Sequence, residues 1–291
     1  MLKNKSFLRT LMLSIALIMS IGIFANTYDV AAKTVVQYNY DSKNRVIKQS
    51  FVDDKNTSST KDDKVLYYYQ FSYNSNDTIK MAKKVQNGKV VCEYYYKTGT
   101  KYGNHGKRIA YQYNIYYNAN NTIKYEKKIQ NGKTVAIYYY SAGAKYGNQG
   151  TKITYIDYYK NGKKTNTVYK TKAAKQNAII KYAKTLNGSK YRAGGTTPSG
   201  FDCSGFTGYV YKQVLSQDLG RATYNQTKKG SYVSLNNLQP GDILFWGSKN
   251  APYHVGIYLG NGKYIHAEDY NKGVNIKTFN YFKPSYAKRM I

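Results

Sequence analysis

A cysteine and two histidines in the last third of the chain have the types and spacing needed for nucleophilic catalysis. Cys203 lies in the run Phe-Asp-Cys-Ser-Gly (residues 201–205), where a helical pattern of apolar residues begins. A thiol in the first turn of a helix lies at the positive end of the helix dipole, which stabilises the thiolate and lowers the thiol pKa. The small neighbours leave room for a substrate backbone, so we predict that Cys203 is a nucleophile rather than a packing residue.

Two histidines follow at paired positions. His254 starts a predicted strand and His266 lies on the next strand, after a tight turn at Asn261-Gly262. Hairpin geometry places the two imidazoles close to opposite each other. One ring can accept the thiol proton while the second holds the first in the required tautomer. Because the chain contains only three histidines, this pairing indicates a catalytic set.

A metal site is the alternative chemistry for the same histidines. Glu268 or Asp269 could complete a zinc site of two histidines and one carboxylate. The sequence contains neither an HExxH nor a CxxC spacing, which weakens that hypothesis. We therefore expect neither a metal nor an organic cofactor.

The elements around these residues predict an α+β layout. Apolar spacing predicts helices over residues 172–186 and 203–215, separated by a glycine-rich loop at 188–200. The predicted strands cover residues 243–246, 254–260, 263–267 and 274–277. Helices that precede antiparallel strands are typical of α+β domains.

Several ordered motifs in this part of the chain resemble those of the NlpC family of papain-like cell-wall cysteine peptidases. The resemblance covers about Ala173 to Ile291. The motifs are Tyr-Arg-Ala-Gly-Gly (191–195), Phe-Asp-Cys-Ser-Gly-Phe (201–206), Leu-Gln-Pro-Gly-Asp-Ile-Leu-Phe (238–245), His-Val-Gly-Ile-Tyr-Leu-Gly-Asn-Gly (254–262) and Ile-His-Ala (265–267).

The resemblance implies a papain-like α+β fold with a helical N-terminal half and an antiparallel sheet. It implies hydrolysis of peptidoglycan stem peptides, often between D-γ-glutamyl and the diamino acid. Cys203 would be the nucleophile, His254 the general base and His266 the orienting third member, with backbone N–H groups at the helix start holding the oxyanion. Family positions near the thiol or along the substrate groove correspond to Tyr191, Asp202, Ser204, Arg221, Thr223 and Gln226.

The part of the chain before Lys170 contains an internal repeat. Residues 67–112 and 111–156 align with an offset of 44, so that Asn87-Gly88 corresponds to Asn131-Gly132. Asn-Gly between two β-rich runs is a strong hairpin signal, because both central residues of a type I′ turn need positive φ. We predict all-β hairpin repeats that stack on one another.

The repeat also indicates structural rather than catalytic roles for one cysteine and one histidine. Cys92 corresponds to Ala136 in the other copy, which indicates a small apolar position. His105 corresponds to Gln149, which indicates a polar loop position. We expect neither residue to take part in chemistry.

Positive charge restricts the partners of the chain. The formal net charge is +30, and residues 33–172 hold 26 Lys and Arg against 9 Asp and Glu. Such charge favours anionic polymers, and tyrosine rings can stack on sugars. We predict that the repeats bind anionic cell-wall polymers, and a passive, soluble spacer is the alternative.

The first 32 residues have the three-part layout of a secretory signal. A basic start at residues 3–9 precedes an apolar run from Leu11 to Phe24. Cleavage is expected after Ala32, or otherwise after Ala25. An uncleaved anchor is the alternative, but the apolar run is shorter than the ~20 residues of a spanning helix.

The predicted organisation is a signal peptide (1–32), a Tyr/Lys-rich β-hairpin repeat region (33–170) and a papain-like cysteine peptidase domain (171–291). The predicted function is that of an exported, wall-associated peptidoglycan endopeptidase with no membrane span in its mature form. A wall amidase or an acyltransferase would use the same triad, and a wall-binding surface protein would use none of it. Nucleic-acid binding ranks last, because export and the absence of a recognition motif oppose it.

Overall fold

The computed structural model describes residues 33–54 and 63–291. The predicted signal peptide, residues 1–32, lies outside these ranges. Three sheets, of ten, two and six strands, organise the described part of the chain. No helix within it is long and apolar enough to cross a membrane.

The ten-stranded sheet follows the chain in order, and each strand pairs antiparallel with the next. Its strands are β1 (Lys33–Tyr40), β2 (Val46–Asp54), β3 (Lys64–Tyr73), β4 (Ile79–Gln86), β5 (Lys89–Tyr96), β6 (Ile109–Tyr117), β7 (Ile123–Gln130), β8 (Lys133–Tyr140), β9 (Ile153–Lys160) and β10 (Lys163–Tyr169). The all-β prediction for this region is confirmed.

The Asn-Gly turns have the predicted geometry, but the repeat unit is larger than a hairpin. Asn87 and Gly88 have φ of 49° and 71°, and their counterparts Asn131 and Gly132 have 51° and 72°. Positive φ at both positions is the type I′ turn. The 44-residue period, however, spans three strands, β3–β5 and then β6–β8, and the hairpin makes up only two of them.

Each repeat builds a small apolar cluster on one face of the sheet. Phe71, Ala82 and Tyr94 are cross-strand neighbours in the first copy, so they share a face. The loop after β5 packs against this face, where the Tyr102 ring meets the Phe71 ring edge-on at 5.1 Å. The loop thereby shields a strand surface that would otherwise be open to solvent.

Consecutive repeats turn equivalent residues to opposite faces. Ile115 is the counterpart of Phe71, and Tyr94 pairs with Gln112 on β6. Ile115 lies three positions after Gln112, so it points away from the face of Tyr94. A unit of three strands reverses the chain direction in the next copy, which explains the alternation. The sheet therefore carries separate clusters on its two faces rather than one continuous core.

The remaining chain forms an α+β domain. Its helices are α1 (Lys172–Thr185), α2 (Cys203–Leu215) and α3 (Thr223–Gln226). Its strands are β11 (Thr196–Thr197), β12 (Gly200–Phe201), β13 (Ser231–Val233), β14 (Ile243–Gly247), β15 (Pro252–Gly260), β16 (Lys263–Ala267), β17 (Val274–Thr278) and β18 (Tyr286–Arg289). The six-stranded sheet is antiparallel with the order β13-β18-β14-β15-β16-β17.

The prediction of a helical N-terminal half for this domain is not supported. The β11–β12 hairpin and irregular segments separate α1 from α2, and α3 is a single turn. Glycines explain the interruption. Gly194 has a left-handed φ of 72°, and a Cβ on Gly195 would lie 2.3 Å from the carbonyl oxygen of Gly200. The chain folds back on itself there and cannot continue as a helix.

Both faces of the central strands are covered. Phe206 on α2 is fully buried in one cluster with Val255 and Ile257 of β15. A second cluster, built around Trp246 and Tyr264, lies on the opposite side of the sheet. The interior of this domain is therefore dry around β15 and β16, the strands that carry the two predicted catalytic histidines.

Candidate active site

Cys203 is the first residue of α2, and its neighbours fix that position. The side chain of Asp202 caps the helix, because its Oδ1 accepts a hydrogen bond of 2.7 Å from the N–H of Gly205. A Cβ on Gly205 would lie only 2.0 Å from the carbonyl oxygen of Gly195. Only glycine lets the preceding loop pack against the first turn that carries the thiol.

The sulfur is partly buried and rests as a thiol. Burial, the largest influence, raises the pKa of Cys203, while Thr223 and the backbone N–H groups of Ser204 and Val255 lower it by smaller amounts. The Thr223 hydroxyl lies 4.0 Å from the sulfur. The prediction of a lowered thiol pKa is therefore wrong, because desolvation of the sulfur outweighs the hydrogen bonds that lower its pKa.

The two imidazoles are bonded to each other. His254 Nε2 and His266 Nδ1 are 2.7 Å apart. Ile257 pairs with Ile265, so His266 lies diagonally across from His254 rather than directly opposite. Gly256 makes this contact possible, since a Cβ there would come within 3.2 Å of the His266 Cβ.

Burial keeps both rings neutral at neutral pH. Desolvation lowers the pKa of His254 to about 4, against a smaller opposing influence of Glu268. Desolvation, and then His254 itself, lowers the pKa of His266 to about 3. Trp246 supplies part of that dry wall, with its ring centroid 5.2 Å from that of His254. The resting site therefore holds a protonated thiol and neutral imidazoles rather than a thiolate–imidazolium pair.

The backbone at the start of β15 lies near the sulfur of Cys203. The backbone N–H of Val255 that acts on the sulfur belongs to the residue directly after His254. Because His254 Nε2 is bonded to His266, Nδ1 is the nitrogen of His254 that remains for proton exchange.

Three of the predicted groove residues form one polar cluster beside the thiol. Arg221 donates to both carboxylate oxygens of Asp202, at 2.5 and 3.1 Å, and to the hydroxyl of Ser204 at 3.0 Å. Burial would raise the pKa of Asp202, but the Arg221 hydrogen bonds hold it below its usual value. Asp202 is therefore ionised, and it serves the helix cap and the guanidinium at once.

The other predicted groove residues divide into two kinds. Gln226 is fully buried and donates to the carbonyl oxygens of Ser204 and Gly220, so it is an interior residue that ties the first turn of α2 to the segment before α3. Thr223 contacts the sulfur. Tyr191 is half-buried. Burial is the largest influence that raises its pKa, and Cys203 is the second, which indicates that the ring lies near the thiol.

The predicted carboxylate for a metal site has other partners. Glu268 accepts hydrogen bonds from Lys272, Tyr281 and Asn275. Among the described residues, no group of three or more His, Cys, Asp or Glu side chains is arranged to hold a metal ion. The sequence analysis placed Glu268 beside the histidines only as a possible metal ligand; the structure places its Oε2 3.7 Å from His266 Nε2.

Cys92 and His105 contact residues of the ten-stranded sheet and its loops. Cys92 is buried in the ten-stranded sheet, 3.2 Å from Asn114 Oδ1, and burial raises its pKa to about 11. The His105 ring stacks on Tyr102 at 4.8 Å and meets Phe71 edge-on. Both residues have packing roles, as the repeat predicted for Cys92, while His105 is more aromatic in its surroundings than a polar loop residue.

Comparison with known proteins identifies a family match in the C-terminal part of the chain. Residues 188–290 match the NlpC/P60 family. Protein P54 of Enterococcus faecium is 44% identical over 113 residues, which are 39% of this chain and 22% of P54. The murein DD-endopeptidase MepS/murein LD-carboxypeptidase of Escherichia coli (strain K12) is 39% identical over 108 residues, 36% of this chain and 57% of the relative. The probable peptidoglycan endopeptidase LytE of Bacillus subtilis (strain 168) is 43% identical over 116 residues, 38% of this chain and 33% of LytE.

The thiol at the start of α2 and the histidine pair on the adjoining antiparallel sheet both lie within the matched segment. Residues 188–290 form an NlpC/P60 domain, which lies in the C-terminal part of the chain. The resemblance predicted from the sequence motifs is thus confirmed. The chain spans between 22% and 57% of the length of these relatives.

Proposed function

We propose that the NlpC/P60 domain is a cysteine endopeptidase that cleaves peptidoglycan stem peptides at the bond between D-γ-glutamyl and the diamino acid. The observation that carries this proposal is the histidine pair, whose facing ring nitrogens are 2.7 Å apart, together with a thiol at the start of α2 whose pKa is lowered by the N–H of Val255, the residue after His254. The names of MepS and LytE, both endopeptidases of the wall polymer, support the substrate class.

The mechanism starts from neutral groups. His254 Nδ1 takes the proton from Cys203 as the sulfur attacks the amide carbonyl, so the charge pair forms during the step rather than before it. Backbone N–H groups at the start of α2 stabilise the oxyanion. The imidazolium then protonates the leaving amine, and water, activated by the same ring, hydrolyses the thioester.

The decisive experiment digests defined muropeptides and identifies the fragments by mass spectrometry. Cys203→Ala should lower the rate by more than about 10³-fold, because the nucleophile has no substitute. Cys92→Ala is the matched control, since it removes the other thiol of the chain and should leave the rate unchanged. Full activity of Cys203→Ala would refute the assignment.

The same fragments separate the alternative reactions on this triad. A wall amidase releases an intact stem peptide from the sugar, whereas an acyltransferase yields a new amide in place of a free carboxylate. An inactive, wall-binding protein gives no fragments, and an electrophilic thiol probe would then fail to label Cys203.

For the ten-stranded sheet we propose binding to anionic wall polymers. Lys84 Nζ lies 4.1 Å from the Tyr67 ring centroid, and Lys128 Nζ lies 4.3 Å from that of Tyr111. These two pairs are equivalent in the repeat and lie on opposite faces of the sheet. Each face therefore presents a cation beside an aromatic ring, the combination that suits phosphate and sugar.

Sedimentation of the full chain with purified cell walls tests this second proposal. Cys203→Ala keeps the wall intact, and binding should weaken at high salt because exposed charge contacts are screened. The double variant Lys84→Gln and Lys128→Gln should bind less. Lys181→Gln with Lys212→Gln removes the same charge from exposed helix positions and serves as control. Salt-independent or unchanged binding would favour a spacer.

We further propose that residues 1–32 direct export and are removed, and that the mature protein acts outside the cell at the wall. The apolar run and its small-residue exit support this, as do the wall-directed names of the relatives. N-terminal sequencing of the protein recovered from culture medium and walls tests it.

A further inference from the structure

One nitrogen of the histidine pair lacks a hydrogen bond although it is buried. His266 Nε2 has no hydrogen-bond partner among the described residues, and water does not reach it. The carboxylate of Glu268 faces it, with Oε2 at 3.7 Å. This distance is too long for a hydrogen bond but short enough for a strong electrostatic preference in a dry site.

Glu268 is held rigidly in this position. Oε1 accepts from Lys272 Nζ at 2.6 Å and from the Tyr281 hydroxyl at 2.7 Å, and Oε2 accepts from Asn275 Nδ2 at 2.8 Å. Its side chain is 11% exposed. Burial alone would raise its pKa, but these hydrogen bonds lower the pKa to about 2. The carboxylate therefore stays ionised at neutral pH, and three hydrogen bonds orient it.

The contact between His254 Nε2 and His266 Nδ1 can be made in two ways. In the first, His254 Nε2–H donates, so the proton of His266 is on Nε2 and the lone pair of His254 is on Nδ1. In the second, His266 Nδ1–H donates, so Nδ1 of His254 carries a proton and cannot accept another. Only the first arrangement leaves a base for the thiol.

We infer that Glu268 is a positioning residue that selects the base-competent arrangement of the histidine pair. A carboxylate only accepts hydrogen bonds, so it favours an N–H at His266 Nε2 and repels a lone pair there. With the proton of His266 on Nε2, His266 Nδ1 accepts the hydrogen bond from His254 Nε2–H, and the free lone pair of His254 is then on Nδ1. The effect of Glu268 on the tautomers does not depend on what the domain does, whereas its consequence for catalysis rests on the proposed function.

The other charged groups around the pair do not replace this contact. Lys277 on β17 has its Nζ 3.5 Å from Glu268 Oε2 and opposes a positive charge on His266. Lys272 also binds Glu268 and weakens its field. Asp269 favours a charged His266 by a smaller amount and is more exposed. Glu268 is the anion that directly faces the ring.

The test compares Glu268→Gln with Asp269→Asn. Glutamine keeps the size of Glu268, but its amide can donate to His266 Nε2 and so favours the arrangement without a base. Asp269→Asn removes one negative charge from the adjacent position. Asparagine can still accept from the backbone N–H groups of residues 271 and 272, as Asp269 does.

Long-range ¹⁵N–¹H correlation spectra of the substrate-free chain show which ring nitrogen is protonated. Three histidines give few signals, and His105→Gln assigns one of them. We expect both His254 and His266 to carry the proton on Nε2 in the natural chain and in Asp269→Asn. Glu268→Gln should move the proton of His266 to Nδ1. A natural chain with His254 protonated on Nδ1 would overturn the inference, whatever the variants do.

Kinetics on muropeptides supply the second measurement. Glu268→Gln should lower kcat by on the order of tenfold, a part of the ~10²–10⁴ that a general base contributes, with KM within about twofold. Glu268→Asp keeps the charge and should restore part of kcat. Unchanged tautomers and kcat in a folded Glu268→Gln protein would contradict the inference. Correct tautomers in a chain that cleaves no muropeptide would instead contradict the proposed function.

Discussion

Each of the two large sheets is associated with a cysteine and at least one histidine, and we propose chemistry for only one of these sets. Cys92 is buried against Asn114 in the ten-stranded sheet, and burial raises its pKa to about 11. Burial also raises the pKa of Cys203, but this residue lies at a helix start with partial exposure, and the N–H of Val255, the residue after His254, lowers its pKa. The proposed difference between the two thiols therefore rests on exposure and on the neighbouring histidine pair rather than on residue type.

The two regions also differ in how completely their side chains are buried. The largest fully buried side chains, among them Trp246, Tyr211 and Phe206, all lie in the C-terminal domain. The clusters of the ten-stranded sheet contain three or four buried residues each and are bordered by half-buried tyrosines. An interior that excludes water keeps imidazoles neutral and strengthens the electrostatic effect of a single carboxylate on them. A sheet with partly exposed side chains is better suited to binding at its surface.

Removal of a histidine from each region should give the largest contrast. His254→Ala should lower the rate of muropeptide cleavage by about 10²–10⁴-fold, because the thiol loses its general base. His105→Gln, which introduces the residue of the other repeat copy, should leave the rate unchanged. Equal losses in both variants would show that the assay reports folding and not catalysis.

A cavity in each region measures the difference in packing. Ile257 is fully buried beneath α2, and Ile115 is 5% exposed in the sheet. Ile257→Ala should cost toward the top of the ~2–5 kcal/mol that such truncations cost, and Ile115→Ala toward the bottom. Urea unfolding, followed by the fluorescence of the single tryptophan and by far-UV circular dichroism, separates the two regions. A larger loss in Ile115→Ala would reverse the comparison.

Sequence alone predicted what depends on residue type and strand period. Cys203, His254 and His266 follow from rarity and from hairpin pairing, and the Asn-Gly turns follow from the need for positive φ. Burial could not be read in this way. The raised thiol pKa results from burial of the sulfur, and the interior position of Gln226 results from its hydrogen bonds to Ser204 and Gly220, both of which exist only in the folded domain.

The architecture of the repeat was equally out of reach. The period of 44 residues shows that units recur, but not that each unit contains three strands and that the loop after β5 leads into the first strand of the next copy. Nor does strand period show that Glu268 is held by Lys272 and Tyr281 at a fixed distance from His266. Such contacts depend on side chains that come together only in the folded domain.

Acid should weaken the C-terminal domain in particular. His254 and His266 have pKa values of about 4 and 3 in the folded state, below the ~6.5 of an unfolded chain. The unfolded state therefore binds more protons below pH ~6.5, so stability falls as the pH drops toward 4, by up to ~1.4 kcal/mol per pH unit for each ring. Tryptophan-detected urea midpoints at about pH 7 and 4.5 measure this.

The control for the acid effect is a chain without the buried rings. His254→Gln with His266→Gln should flatten the dependence of the urea midpoint on pH over this range, and His105→Gln should leave it as steep as in the natural chain. A midpoint that does not change with pH in the natural chain would mean that the histidine pair is more hydrated than its contacts indicate.

The smallest effect is expected at a turn of the ten-stranded sheet. Gly132 has a φ of 72° and open space around its Cβ position, so Gly132→Ala introduces backbone strain and nothing else. The left-handed conformation should cost about 1 kcal/mol in the free energy of unfolding. Gly150→Ala is the matched control, because Gly150 has equal space without a positive φ, and the variant should be neutral or slightly stabilising. Urea unfolding detected by far-UV circular dichroism distinguishes them, and equal midpoints for the two variants would show that the Asn-Gly hairpins do not limit the stability of the sheet.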